Sequence, residues 1–120
     1  MARILIVEDE YLIAAAAEAA LDAAGHRAVV ASDGRAALEW LRDNLPDLIV
    51  TDYMMPRMDG GKLVAAVRAD PRLAHVPIVM VTATPPETIR SKGLDIQMLL
   101  SKPVMEAALL RAVETLVGPR

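Results

Sequence analysis

Five residues sit where short apolar runs end. Ile4-Leu5-Ile6-Val7 leads into Glu8-Asp9, Leu48 to Thr51 into Asp52, Ile78 to Val81 into Thr82, and Ile96 to Leu100, through Ser101, into Lys102. Gathered in one place, these supply three carboxylates, a hydroxyl and an ammonium. Carboxylates a few ångströms apart repel by several kcal/mol even at an effective dielectric of about 20, so a cation belongs among them. Oxygen donors without His or Cys favour Mg²⁺, which takes few protein ligands and leaves room for water and phosphate oxygens. One of the three carboxylates can then attack phosphorus and become an aspartyl phosphate. Lys102 and the metal would neutralise the phosphoryl oxygens, with Thr82 donating a hydrogen bond to one of them.

Each residue also has a simpler reading: Glu8, Asp9 and Glu10 as caps for the following helix, Asp52 as a turn residue, Thr82 as a cap before Pro85-Pro86, and Lys102 as a solvated charge. The order of elements decides between the two. Ile4–Val7, Arg27–Ala31, Leu48–Thr51, Ile78–Val81 and Ile96–Leu100 are short apolar runs of the kind found in strands covered on both faces. Between and after them lie helical patterns at Tyr11–Ala24, from Ser32-Asp33-Gly34 to Asn44, at Lys62–Ala69, in a short proline-led stretch after Thr84, and at Val104–Val117. Strand alternating with helix predicts an α/β fold: a doubly wound five-stranded parallel sheet with helices on both faces. Ligands of such sheets gather at the carboxyl ends of the strands, and that is where all five residues fall.

The chain has 120 residues, the size of one domain, and we expect a single domain over 1–120. With 13 basic and 16 acidic residues its net charge is -3, which offers no basic field for nucleic acid. It has no cysteine, so disulfides and thiolate chemistry are excluded. No run is long and apolar enough for a signal-peptide core or a membrane span, and a cytoplasmic location is the simplest expectation.

Glu8-Asp9, Asp52, Thr82-Ala83 and Lys102-Pro103 resemble, in order and spacing, the motifs of the receiver domain of bacterial two-component response regulators, and the likeness runs nearly the full length. The resemblance implies strand order 2-1-3-4-5, a flavodoxin-like arrangement. It implies that Asp52 accepts a phosphoryl group from the histidine of a kinase or phosphotransfer protein. By the same likeness Asp9, Asp52 and the Met54 carbonyl ligate Mg²⁺, Glu8 assists through water, Thr82 and Lys102 contact the phosphoryl group, and the Lys102-Pro103 bond is cis. The product is a signalling state, so the chain is not expected to be a turnover enzyme.

Two departures stand out. The family's usual aromatic in the last strand is replaced by Leu99, and no aromatic follows Tyr53. The segment from Thr84 to Gly93 is short and proline-led, so the read-out is expected to pass through it instead. Only Gly118-Pro119-Arg120 follow the last helix, from which a stand-alone receiver with a protein target is expected. In the first helix Leu12, Ala16, Ala19 and Ala23 form one side, and Tyr11, Ala14, Ala15 and Glu18 are expected to face away from the core and receive the histidine-bearing partner. Gly60 and Gly61 read as turn residues and Asp59 as a cap; His26 and His75 read as surface loop residues, Trp40 as packing, and Met54, Met55 and Met58 as a soft docking surface. Two other functions compete. A phosphorylation-independent binding module would not need so costly a charge cluster. An aspartyl-nucleophile phosphatase would place a second Asp two residues after the nucleophile, where this chain has Met54.

Overall fold

Alternating burial along the central strands fixes the layers. In the computed structural model, which describes residues 2–118, Ile4 and Ile6 of β1 (Arg3–Val7) point to one side of the sheet and Leu5 and Val7 to the other, and all four are buried. The remaining strands are β2 (Arg27–Ala31), β3 (Leu48–Thr51), β4 (Ile78–Thr82) and β5 (Met98–Ser101), every neighbouring pair is parallel, and the order is 2-1-3-4-5, as the resemblance implied.

The helices are α1 (Tyr11–Ala23), α2 (Gly34–Leu41), α3 (Gly60–Ala69), α4 (Pro86–Ser91) and α5 (Glu106–Val117). One face of the sheet buries Leu5, Val7, Ile49, Ile78 and Met80 against Ala37 and Leu41 of α2, Leu63, Val64 and Val67 of α3, and Ile89 of α4. The other packs Ile4, Ile6, Leu48, Val50 and Val79 against Leu21 of α1 and Leu109, Ala112 and Val113 of α5. With aromatics so scarce, branched aliphatics and Met80 fill both layers.

Element boundaries differ from the sequence pattern by two or more residues at four ends, one of them that of α3, which begins at Gly60 rather than Lys62. Helix α2 stops at Leu41 rather than Asn44, where the Asn44 side-chain amide turns back and donates to the Trp40 carbonyl at 2.8 Å. Strand β5 begins at Met98, two residues late, since the Gln97 side chain already takes the Ile78 amide at 2.7 Å. Helix α5 begins at Glu106, after an extended Met105. Pro119 and Arg120 lie outside the described residues.

Helix α1 is turned opposite to its expected orientation. Ala14, Ala20 and Leu21 are buried, whereas Leu12 is 80% exposed and Ala16, Ala19 and Ala23 are also exposed. An alanine-rich helix is apolar on nearly every face, so periodicity discriminates poorly; the large Leu21 near its end decides which face turns inward. His26 is also buried, at 5% exposure, because the turn at Gly25 (φ 91°) delivers it directly to β2, where its Nδ1 accepts the Ala2 amide at 3.3 Å. His75 is exposed, as expected. Among the described residues no helix is long and apolar enough to cross a membrane.

Candidate active site

Backbone hydrogen bonds that continue beyond the regular strands carry the polar residues into one cluster. The Glu8 amide donates to Ala31 O at the end of β2, the Asp52 amide to Val7 O at the end of β1, both at 3.1 Å, and the Lys102 amide to Thr82 O at 3.0 Å. Glu8, Asp52 and Lys102 thus stand at the carboxyl ends of β1, β3 and β5 with their backbones already fixed.

Their side chains meet directly. The Lys102 Nζ lies 2.7 Å from Glu8 Oε1 and 2.7 Å from Asp52 Oδ2, and Glu10 Oε1 is 3.8 Å away. Glu8 and Asp52 are each 6% exposed. Burial pushes the Glu8 carboxyl above its ordinary value, although the hydrogen bond from Lys102 opposes this. Burial works to lower Lys102, but its hydrogen bonds to Asp52 and Glu8 prevail and hold the ammonium above its ordinary value. The other Asp52 oxygen, Oδ1, accepts the Tyr53 amide at 2.6 Å and the Met54 amide at 3.2 Å. The carboxylate is therefore oriented by the chain on one side and by an ammonium on the other.

Asp9 is exposed and completes a group of three: Glu8, Asp9 and Asp52 each offer a carboxylate oxygen, all within 4.8 Å of one another. Three carboxylates against one ammonium leave an excess of two negative charges, and every donor is a hard oxygen. That donor set fits a small divalent cation. Thr82 is buried and adjoins Lys102 through the backbone, but its hydroxyl pairs with the Thr84 hydroxyl at 3.2 Å rather than with the cluster. Glu10 joins the site only in three dimensions. Glu10 is one of a run of acids, and nothing in the sequence marks which member of that run reaches Lys102. The Lys102-Pro103 bond is cis.

The loop after Asp52 is closed by α3. Asp59 caps that helix through Lys62 N at 2.9 Å, and the Gly60 amide donates to Tyr53 O at 2.7 Å. Gly60 is there for close approach rather than for an unusual φ: a Cβ on it would lie 2.5 Å from the Asp52 carbonyl oxygen and 2.8 Å from Tyr53 Cα. Gly60→Ala is expected to cost about 1–3 kcal/mol by overpacking against backbone and to displace Asp52; urea denaturation and amide exchange at Tyr53 and Met54 measure the two effects. Met54 is 64% exposed, but Met55 and Met58 pack against the core, so the three do not form one exposed surface. Trp40 packs as expected, with Arg3 over its ring at 5.7 Å.

Residues 4–114 match the response regulator receiver domain. The chain belongs to the response regulator receiver family. This receiver is 36% identical to Response regulator PleD of Caulobacter vibrioides over 117 residues, which are 96% of the chain and 26% of PleD. It is 38% identical to Sensor histidine kinase TmoS of Ectopseudomonas mendocina over 97% of its own length and 12% of TmoS. The receiver thus spans about a quarter or less of these relatives. Among solved structures, chemotaxis response regulator CheY4 of Vibrio cholerae superposes with a TM-score of 0.91 at 33% identity, covering 97% of this chain and 98% of that one. The receiver domain of sensor histidine kinase PA1611 from Pseudomonas aeruginosa, solved with a magnesium ion coordinated in its active site cleft, gives a TM-score of 0.91 at 28% identity, with 98% of each chain covered. Domains of this family are phosphorylated by histidine kinases in two-component signalling and interact with those kinases or with phosphotransfer proteins.

Proposed function

We propose that Asp52 of this receiver takes a phosphoryl group from a phosphohistidine in a Mg²⁺-dependent reaction, and that the phosphorylated form signals by contact with another protein. The contact of Lys102 with both Glu8 and Asp52, with Asp9 in reach, carries this reading. An Asp52 oxygen attacks phosphorus, the bond from phosphorus to the imidazole nitrogen breaks, and its electron pair stays on the ring. Lys102 is placed to turn from Asp52 to a phosphoryl oxygen while keeping Glu8, and the Thr82 hydroxyl to exchange Thr84 for another. Glu8, Asp9, Asp52 and the Met54 carbonyl would hold Mg²⁺, which when bound neutralises phosphoryl charge. The chemistry occurs once per signal, so the chain is no turnover enzyme. The net charge of -3 fits a cytoplasmic protein-binding role without nucleic acid.

Intact-protein mass spectrometry after incubation with Mg²⁺ and acetyl phosphate tests the reading. A single phosphoryl adduct that EDTA prevents is expected; no adduct, together with no Mg²⁺ binding by calorimetry, would return the protein to the phosphorylation-independent alternative.

The partner's helix has a place to dock, although not the face expected from the sequence, since Ala14 is buried. A groove of about 600 Å³ runs from Glu8, Asp52 and Lys102 between α1 and α5, lined by Leu12, Ile13, Ala16 and Val104. Tyr11, Leu12 and Met105 are at least three-quarters exposed beside the site. An apolar groove ending at the phosphoacceptor suits a helix that carries the donor histidine. Leu12→Arg is expected to slow transfer from the cognate kinase by roughly tenfold or more while leaving phosphorylation by acetyl phosphate unchanged; equal slowing of both would place the groove elsewhere in the mechanism.

A further inference from the structure

The loop from Tyr53 to Asp59 is held at a second point, by a residue outside the carboxylate cluster and on another layer of the fold. Arg57 within it has φ 67°, a left-handed conformation that side-chain-bearing residues adopt at a cost, so the surroundings must hold it there. Its Nη1 donates to Asp33 Oδ2 at 2.6 Å. Asp33 is buried, and its other oxygen caps α2 through Ala36 N at 2.8 Å. The Ala36 amide foremost, and Arg57 after it, hold this carboxyl below its ordinary value against the opposing effect of burial. Next to the ion pair, Met58 lies so close over Gly34 that a Cβ there would meet Met58 Cγ at 3.0 Å.

One loop is therefore fastened at both ends. Asp52 Oδ1 holds the amides of Tyr53 and Met54, and Asp33, the N-cap of α2, holds Arg57. Met54, whose carbonyl the proposed function assigns to the metal, lies between the two fastenings. We propose that Arg57 is a positioning residue of the phosphorylation site: through Asp33 it fixes the loop against α2, and so sets where residue 54 stands relative to Asp9 and Asp52. The inference rests on the metal site proposed above. The Arg57 side chain is 62% exposed, and an ion pair at such a site adds little to global stability, so its effect falls on the loop's position and on divalent affinity.

Calorimetric Mg²⁺ titration of the full chain at fixed pH and ionic strength provides the test, with thermal denaturation in parallel. Arg57→Ala is expected to weaken Mg²⁺ binding by roughly tenfold with little change in Tm, and Arg57→Lys to recover part of the loss. Arg57→Gly should weaken binding as Arg57→Ala does, although it relieves the backbone, because the guanidinium is what holds the loop. Asp33→Asn, which keeps a cap acceptor for α2, should weaken binding similarly and add little when combined with Arg57→Ala. Wild-type affinity retained in Arg57→Ala or in Arg57→Gly would overturn the inference while the metal site stands. No Mg²⁺ binding by the wild-type protein would overturn both.

Discussion

Asp52→Asn is expected to abolish the phosphoryl adduct formed with acetyl phosphate. The substitution keeps the shape of the side chain, and the amide oxygen can still accept from Tyr53 N and Met54 N as Oδ1 does now. What changes is the atom that faces Lys102. Asp52 Oδ2 accepts from the ammonium at 2.7 Å, whereas an amide NH₂ there would set donor against donor, and Lys102 would keep Glu8 as its close partner. The variant should fold, since Gly60 N still reaches Tyr53 O and the β1 to β3 register does not involve the side chain. Loss of the adduct in a folded variant would therefore be loss of the nucleophile. Asp9 and Glu8 are within 4.8 Å, so an adduct persisting in Asp52→Asn at the wild-type yield would mean that a neighbouring carboxylate is the acceptor. Peptide mapping would then identify which one.

The fold was legible because its strands are short apolar runs and its crossovers can go only one way. Register followed from that, and with it the meeting of Glu8, Asp52 and Lys102, none of which is near the others in sequence. Less legible was any feature decided by side-chain size rather than pattern. In α1 almost every position is apolar, so Leu21 alone sets the buried face, and the side expected to pack carries Leu12 in solvent. Gly60 looks like a turn residue in sequence, and only the nearness of the Asp52 carbonyl reveals a steric constraint. The ion pair of Arg57 with Asp33 joins two loops through a backbone conformation that no residue type announces. Thr82 sits where its strand predicted, yet its hydroxyl is engaged by that of Thr84, two residues on.

Lys102→Met should give the largest change in stability of the metal-free protein. The side chain keeps an unbranched apolar stem, one atom shorter, but loses the cation shared by Glu8 and Asp52, both buried. Removing one partner from a buried pair costs about 3–5 kcal/mol, and the lower end applies here because the ammonium retains some access to water. The pH dependence has a definite sign. Glu8 titrates above its ordinary 4.5, so the folded state binds a proton that the unfolded chain releases. Its favourable contribution is complete below 4.5 and is lost as pH rises through the raised value. Without Lys102 that value rises further, and the penalty at neutral pH deepens. Lys102, held above its ordinary 10.5, stabilises the native protein below that pH and ceases to do so as pH climbs through its raised value, a loss the variant cannot show. Urea midpoints in EDTA at about pH 5 and about pH 8 should therefore separate wild type from variant modestly at the lower pH and widely at the higher. A variant equal to or more stable than wild type at the higher pH would mean that the cost of burying the ammonium outweighs its pairing. Lys102 would then be retained for phosphoryl transfer at the expense of stability, and the adduct yield of the same variant would show it.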